Sequence, residues 1–375
     1  MSQKENAPKS YKGIDIYNNG KEYVSKEDER TNYIQNKMMK FFLKIADNIF
    51  FASDNKGYVY YLEFNKDTKT FQISNLEYIC NDSKYILVDI IKSTKFDLYF
   101  SLNLNPCLNI FKIKDNNNKK EVDIIQHINL RKKQNRNKYN KIYEINMANN
   151  DCLLLFGDNI IEIWSNNIKN KNINYEFVQL FKIDNINNEN NINNNDIIDT
   201  SIISNIYKPD NENLFLLNLH KFQIINVKIS EIQSNNNNNK IVPSLEIKNN
   251  INIKGIEGQI EKISCLFMDK DYIFLGLTDS LVLISISYGE IIQIYKIGRV
   301  NQMKLTKDKK HIYVFVEQSE KKYFFIKYKF IDNEGLDEEK RISYDSWIYK
   351  FDIIEEQNII VIYNIKGLIS LLNFD

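Results

Sequence analysis

Short apolar runs, each about strand length and bounded by Asn, Asp, Gly or Lys, recur along the chain, and few segments show the spacing of a helix. The clearest unit runs from Ile260 to Ile297: IEKISCLFM, a DKD turn, YIFLGL, a TDS turn, LVLISI, a YG turn and EIIQIYKI. Strands joined by turns this short pair with their neighbours, so the unit is an antiparallel meander. The same order begins at Lys37 (KMMKFFLKI, IFFAS, YVYYLEF, TFQISNLEYI), Tyr85 (YILVDII, FDLYFSL, CLNIFKI, VDIIQHI) and Lys141 (KIYEINM, DCLLLF, IIEIW, FVQLFKI). It continues from Thr200 (TSIISNIY, NLFLLNL, KFQIINV, PSLEIK), Val300 (VNQMKL, HIYVFVE, KYFFIKYKF, KRISY) and Trp347 (WIYKFDI, NIIVIY, GLISLLNF). Residues 37–375 therefore divide into seven parts of about 48 residues, slightly longer than a four-stranded blade repeat.

Asparagine-rich tracts at Asn116–Asn118, Ser165–Asn174, Asp184–Asn195 and Asn235–Asn239 supply the excess length. Tracts this polar bury too little apolar surface to offset the entropy of ordering them, so they read as loop insertions. A two-sheet sandwich is the competing architecture, but seven consecutive meanders exceed its usual strand count, whereas radial repetition avoids one oversized core. The expected fold is all-β, a seven-bladed β-propeller of four-stranded antiparallel blades, with residues 1–36 as an N-terminal extension. Within that extension Ser25 to Gln35 reads as a short helix or coil, with an acidic start at Glu27, Asp28 and Glu29.

Three hairpins carry a family resemblance: SDNKGYVYYLE (Ser53–Glu63), GDNIIEIWS (Gly157–Ser165) and LTDSLVLISISYGE (Leu277–Glu290). Each resembles the second-to-third-strand hairpin of WD-repeat β-propellers, in which an Asp-containing turn leads into a strand ending near a Trp-Asp pair. No unit opens on a Gly-His pair, and Ile163-Trp164-Ser165 is the nearest approach to the terminal Trp-Asp. The seventh unit has three strands before Asp375, which would leave an unpaired edge. The resemblance implies closure by an N-terminal strand, and GIDIY (Gly13–Tyr17) and KEYVS (Lys21–Ser25) are the candidates.

Composition narrows function mainly by subtraction. The 375 residues carry 50 Lys+Arg against 49 Asp+Glu, so bulk charge steers no partner, while 43% hydrophobic content is ample for a core. No apolar run approaches the ~20 residues of a membrane span, and MSQKENAPKSYKG lacks the apolar stretch of a secretory signal, which predicts a cytoplasmic or nuclear location. Cys80, Cys107, Cys152 and Cys265 are too scattered for a disulfide framework or a zinc cluster and read as buried thiols. Phosphate-binding glycine motifs and the G-x-S-x-G elbow are missing, and His127, His220 and His311 fall singly in or beside predicted strands. Glu355 with Glu356, and Asp337 with Glu338 and Glu339, sit in predicted turns and read as solvated charge. The motifs imply no cofactor, no metal site and no small-molecule substrate. An enzyme with a loop-built site is the third reading of function.

Binding is where the sequence offers candidates. In the implied topology the blade-to-blade connections share a face with the second-to-third-strand turns. The third-to-fourth-strand loops, Lys114–Glu121, Ser165–Glu176, Ser234–Lys240 and Ile331–Glu338, lie opposite. Most Asn insertions crowd that opposite face, so a structured partner is expected on the first, Asp184–Asn195 being an exception there. The stretch Asn129–Lys141, NLRKKQNRNKYNK, carries Arg131, Lys132, Lys133, Arg136, Lys138 and Lys141 with no acid, and Tyr139 is placed to stack on a base. Lys254 and Arg299 precede blades five and six and would extend a positive rim. Trp164 reads as packing within its blade; Trp347, beside Tyr344 and Asp345, is a core residue or a binding anchor. The expected function is a non-enzymatic protein-interaction scaffold within a larger complex. An RNA-associated subunit, in RNA processing or ribosome assembly, is the alternative.

Overall fold

The computed structural model describes residues 12–15, 39–54, 59–76, 87–103, 107–116, 119–130, 139–146, 151–157, 160–166, 173–182, 203–207, 212–218, 223–233, 241–255, 264–267, 269–319, 322–331, 335–364 and 368–374. They form seven four-stranded antiparallel sheets, the blades of a seven-bladed β-propeller. A short strand, β1 (Lys12–Asp15), precedes the blades. Blade one holds β2 (Met39–Ala46), β3 (Ile49–Asp54), β4 (Val59–Asn65) and β5 (Thr70–Leu76). Blade two holds β6 (Leu87–Lys92), β7 (Tyr99–Asn103), β8 (Cys107–Asn116) and β9 (Lys119–Asn129). Blade three follows with β10 (Tyr139–Asn146), β11 (Asp151–Gly157), β12 (Ile160–Asn166) and β13 (Tyr175–Lys182). Blade four has β14 (Ile203–Tyr207), β15 (Asn213–Asn218), β16 (Gln223–Gln233) and β17 (Ile241–Asn252). Blade five has β18 (Ser264–Phe267), β19 (Tyr272–Gly276), β20 (Leu281–Ser285) and β21 (Glu290–Tyr295). Blade six has β22 (Arg299–Leu305), β23 (His311–Ser319), β24 (Lys322–Ile331) and β25 (Gly335–Tyr344). Blade seven has β26 (Ile348–Ile354), β27 (Ile359–Asn364) and β28 (Leu368–Asn373), and β1 is its fourth strand.

The burial pattern explains why the apolar runs read so clearly. Middle strands are covered on both faces, so β7, β11 and β12 are buried at every position, whereas the outer strand β21 alternates exposed and half-buried residues. Turns are set by side-chain acceptors: Asp269 Oδ1 accepts from the backbone N–H groups of Asp271 and Tyr272 at 2.7 and 2.9 Å. Gly298, at φ 98°, admits the chain into blade six where a Cβ would lie 2.6 Å from the Glu317 carbonyl oxygen.

One irregularity repeats. The first strand carries a bulge in six blades, leaving Lys40, Val88, Asn140, Ser204, Asn301 and Tyr349 without an opposite residue. A second bulge recurs on the outer strand of blades two to six, at Ile125, Val178, Lys248, Ile292 and Glu339. Each extra residue increases the right-handed twist of its strand locally.

The chain packs as two compact units. In the first, blades five, six, seven and one are joined by successive cores: Phe274 and Leu283 with Val314 and Ile326; Phe315 and Phe325 with Phe351 and Ile360; Val361 and Tyr363 with Phe42 and Phe50. In the second, Leu108 and Ile110 of blade two pack with Leu153 and Leu155 of blade three, and Leu154 and Ile163 pack with Leu214 and Leu216 of blade four.

The closing strand falls within GIDIY: Lys12, Gly13, Ile14 and Asp15 oppose Leu371, Ser370, Ile369 and Leu368. KEYVS and the helix expected over Ser25 to Gln35 lie outside the described residues. Two expected loops are corrected. Most of Lys114–Glu121 is paired strand, out to Asn116 opposite Lys119, and Ile331–Glu338 contains the start of β25, with Ile331 opposite Gly335. Polar side chains on both strands of such arms hide them from a reading based on apolar runs, and cross-strand pairs such as Lys114–Asp123 at 2.7 Å support them instead.

Candidate functional site

The basic connection between blades two and three is anchored at both stems. On the entering side Asn129 is the last residue paired in β9, opposite Cys107, and Leu130 is buried behind it. On the leaving side Tyr139 opposes Gly157, and Leu130 and Tyr139 share one core with Leu153 and Trp164. Arg131, Lys132, Lys133, Arg136 and Lys138 fall between these stems, outside the described residues. Lys141, beyond the second stem, lies 3.6 Å from the buried Asp89 carboxylate while its own side chain stays partly exposed.

Tyr139 is not placed to stack on a base. It is 6% exposed, and its hydroxyl donates to Glu162 Oε1 at 2.7 Å. The other oxygen of Glu162 accepts from the indole Nε1 of Trp164 at 3.0 Å, so this buried carboxylate draws the phenol and the indole together. Burying a carboxylate is costly without donors on both oxygens, and Tyr139 and Trp164 supply them. The sequence held a signal for this: Glu162 interrupts the apolar run IIEIW two residues before Trp164, the spacing that puts both on one face of a strand. Tyr139→Phe should leave Glu162 Oε1 short of a donor and destabilise the fold by about 1–3 kcal/mol. Thermal unfolding followed by tryptophan fluorescence checks it; an unchanged midpoint would mean that the phenol contributes nothing at the stem.

The remaining candidates are distributed. Lys254 is exposed beyond β17, where its backbone N–H donates to Gly289 O at 3.0 Å. Arg299 is the half-buried first residue of β22, opposite Glu317. Trp347 is half-buried, edge-on to Phe315 and Tyr323 with ring centroids 6.2 and 6.0 Å away. Trp164 is buried, as expected.

Polar side chains that sequence reading missed stitch adjacent first strands. Gln302, the residue after the blade-six bulge, donates to Tyr349 O at 2.6 Å and accepts from Phe351 N at 3.1 Å, gripping the blade-seven bulge from both sides. Asp89, the residue after the blade-two bulge, accepts from Ile142 N of blade three at 2.9 Å in the corresponding position. Lys304 of β22 pairs with the buried Asp352 of β26 at 2.7 Å. Lys44 of β2 donates to Ile353 O at 2.6 Å; burial lowers its pKa, opposed by the attraction of Asp352. At the adjoining turns Lys307 pairs with Asp47, whose carboxyl that hydrogen bond holds below the usual range, and the Lys307 backbone N–H is shared by both Glu355 oxygens. The Ser93–Thr94 turn repeats the arrangement on blade three: Ser93 Oγ and Thr94 N donate to Glu144 at 2.5 and 2.7 Å.

Cys107 and Cys152 are buried thiols outside any disulfide, and His127 donates through Nδ1 to Asn109 Oδ1 at 2.6 Å, a structural bond. Among the described residues no helix is long and apolar enough to cross a membrane, and no group of three or more His, Cys, Asp or Glu is arranged to hold a metal ion.

No family model matches the chain, and no curated protein sequence does. Solved structures do match in fold. The RRP9 WD40 repeats superpose with a TM-score of 0.57 at 7% identity, covering 98% of this chain and 99% of that one. The C-terminal WD40 domain of Sif2 gives 0.56 at 11% identity, covering 90% and 99%. A Bacteroides uniformis protein described as a candidate 6-phosphogluconolactonase gives 0.54 at 12% identity, covering 90% and 92%. The chain thus shares the propeller fold of WD40 domains and of a candidate 6-phosphogluconolactonase, at identities that speak for the fold alone.

Proposed function

We propose that the protein is a non-enzymatic interaction scaffold, an intracellular subunit of a larger assembly, and that it docks an acidic protein surface on the connection between blades two and three. The observation that supports this is the pinning of both stems. Five cations, Arg131, Lys132, Lys133, Arg136 and Lys138, fall within eight residues between two anchored core side chains, Leu130 and Tyr139. Anchored stems limit the chain entropy lost when such a connection meets a partner, and its local charge contrasts with the neutral whole. Lys254 and Arg299 are secondary contacts for the same class of partner, and Trp347 is a third with an apolar character.

RNA is the competing ligand for the same charge, but burial of Tyr139 takes away the stacking platform that favoured it. The test replaces Arg131, Lys132, Lys133 and Arg136 together with Ser and measures binding of a fluorescent poly-glutamate peptide and of a structured RNA at low ionic strength. The proposal expects the peptide to bind at least about tenfold more weakly to the variant, with an unchanged melting midpoint. Peptide binding that survives the substitutions overturns it. RNA binding that is lost while the peptide never binds transfers the site to the RNA reading. A metabolite-dependent turnover by the pure protein would move the chain to the enzymes, as for the lactonase-like neighbour.

A further inference from the structure

Four carboxylates are buried among the described residues: Asp89, Asp151, Glu162 and Asp352. A buried carboxylate is costly unless a cation and further donors meet it, and three of the four have a lysine. Lys141 lies 3.6 Å from Asp89, Lys95 lies 3.1 Å from Asp151 and Lys304 lies 2.7 Å from Asp352. Glu162 departs from that rule. Its oxygens are met by two neutral donors, the Tyr139 hydroxyl and the Trp164 indole N–H, and no Lys or Arg among the described residues pairs with it. The charge is thus poorly matched for stability, while the bond it makes is specific: it holds the phenol at the leaving stem of the basic connection.

That stem needs holding. Tyr139 pairs with Gly157, but the bulge at Asn140 separates this pair from the continuous ladder of Lys141 to Asn146. A pair cut off by a bulge lacks the support of neighbouring ladder bonds. Glu162 is well placed to supply what is missing. It lies on β12, which is buried at every position, and Trp164 behind it is 5% exposed and edge-on to Phe177 with ring centroids 5.8 Å apart. Packing therefore fixes the carboxylate, and the carboxylate fixes the phenol.

We infer that Glu162 is a positioning residue for docking: acting through Tyr139, and without touching the partner, it fixes one stem of the basic connection and so lowers the entropy lost when the cations meet an acidic surface. The inference rests on the docking reading above. Its test is the affinity of the full chain for the fluorescent poly-glutamate peptide, measured across a range of ionic strength. A glutamine oxygen can accept from only one of the two donors, so Glu162→Gln should weaken binding about fivefold. The sign is diagnostic, because deleting a negative charge beside a cationic connection would by its field alone strengthen binding of an acidic peptide. Tyr139→Phe, which changes no charge, should weaken binding to a similar extent, and the double variant should lose little more, since both changes break one bond. The salt dependence should stay that of the wild type, because all five cations remain, whereas the quadruple Ser replacement should flatten it. Lys304→Met, which strands a buried charge in the other packing unit, controls for lost stability and should bind as the wild type does. If the wild type binds and Glu162→Gln binds as well or better, the positioning role is overturned and the docking reading stands. An equal loss in Lys304→Met also overturns the role, and a wild type that does not bind overturns both.

Discussion

A chain lacking residues 1–25 should melt roughly 6 °C below the full protein, because it loses the fourth strand of blade seven. β1 contributes four paired residues to β28. At about 1 kcal/mol for each backbone hydrogen bond, the loss is on the order of 3 kcal/mol, and in a domain of this size each kcal/mol moves the midpoint by about 2 °C. Truncation also leaves the N–H and C=O groups of Leu368 to Leu371 as a bare edge beside a buried core, so the shortened chain should aggregate more readily after heating. A point change separates this from any unrelated effect of truncation. Ile14→Pro removes one ladder N–H opposite Ile369 and should reproduce about half of the shift. Differential scanning calorimetry of the three proteins is the measurement, and coincident midpoints would show that β1 does not close the blade.

Lys304→Met should cost about 3 kcal/mol, the second large effect. Asp352 is 6% exposed, and its carboxylate is held by the Lys304 ammonium at 2.7 Å and by Ile353 N at 3.0 Å. Removing the ammonium strands a buried charge, which is far more damaging than deleting both members of the pair. Lys304→Met combined with Asp352→Leu should therefore recover most of the loss. Urea unfolding of the two single variants and the double variant measures the coupling, and strictly additive losses would mean that the two side chains act independently.

The seven-fold repeat was legible because middle strands are buried on both faces, so DCLLLF and LVLISI stand out as unbroken apolar runs. The closing strand was legible for a different reason, the count of strands in blade seven. What stayed hidden has a common cause. A bulge adds one residue and reverses which face the following side chains occupy, so the alternation of two breaks near the start of the first strand in six blades. Gln302, Asp89 and Lys304 sit next to or just beyond such breaks, where a polar residue in an apolar run reads as noise; only coordinates show that it reaches the neighbouring blade. Tyr139 failed for the opposite reason. Its neighbours in sequence are basic and polar, but its fate is decided by Glu162, twenty-three residues away. The arms at Lys114–Glu121 and Ile331–Glu338 look like loops in the sequence because ladder hydrogen bonds and surface ion pairs leave no hydrophobic trace.

The register of β1 on β28 also decides how the molecule answers to force. Lys12 lies opposite Leu371 and Asp15 opposite Leu368, so the chain enters and leaves blade seven at the same end of one ladder. A tension applied between residue 12 and the last residues of β28 pulls across that ladder rather than along it, and opens its hydrogen bonds one after another. A strand that secures the blade at rest is thus a zipper under load: tethering by both ends would open blade seven first, while the buried cores between the other blades are still intact.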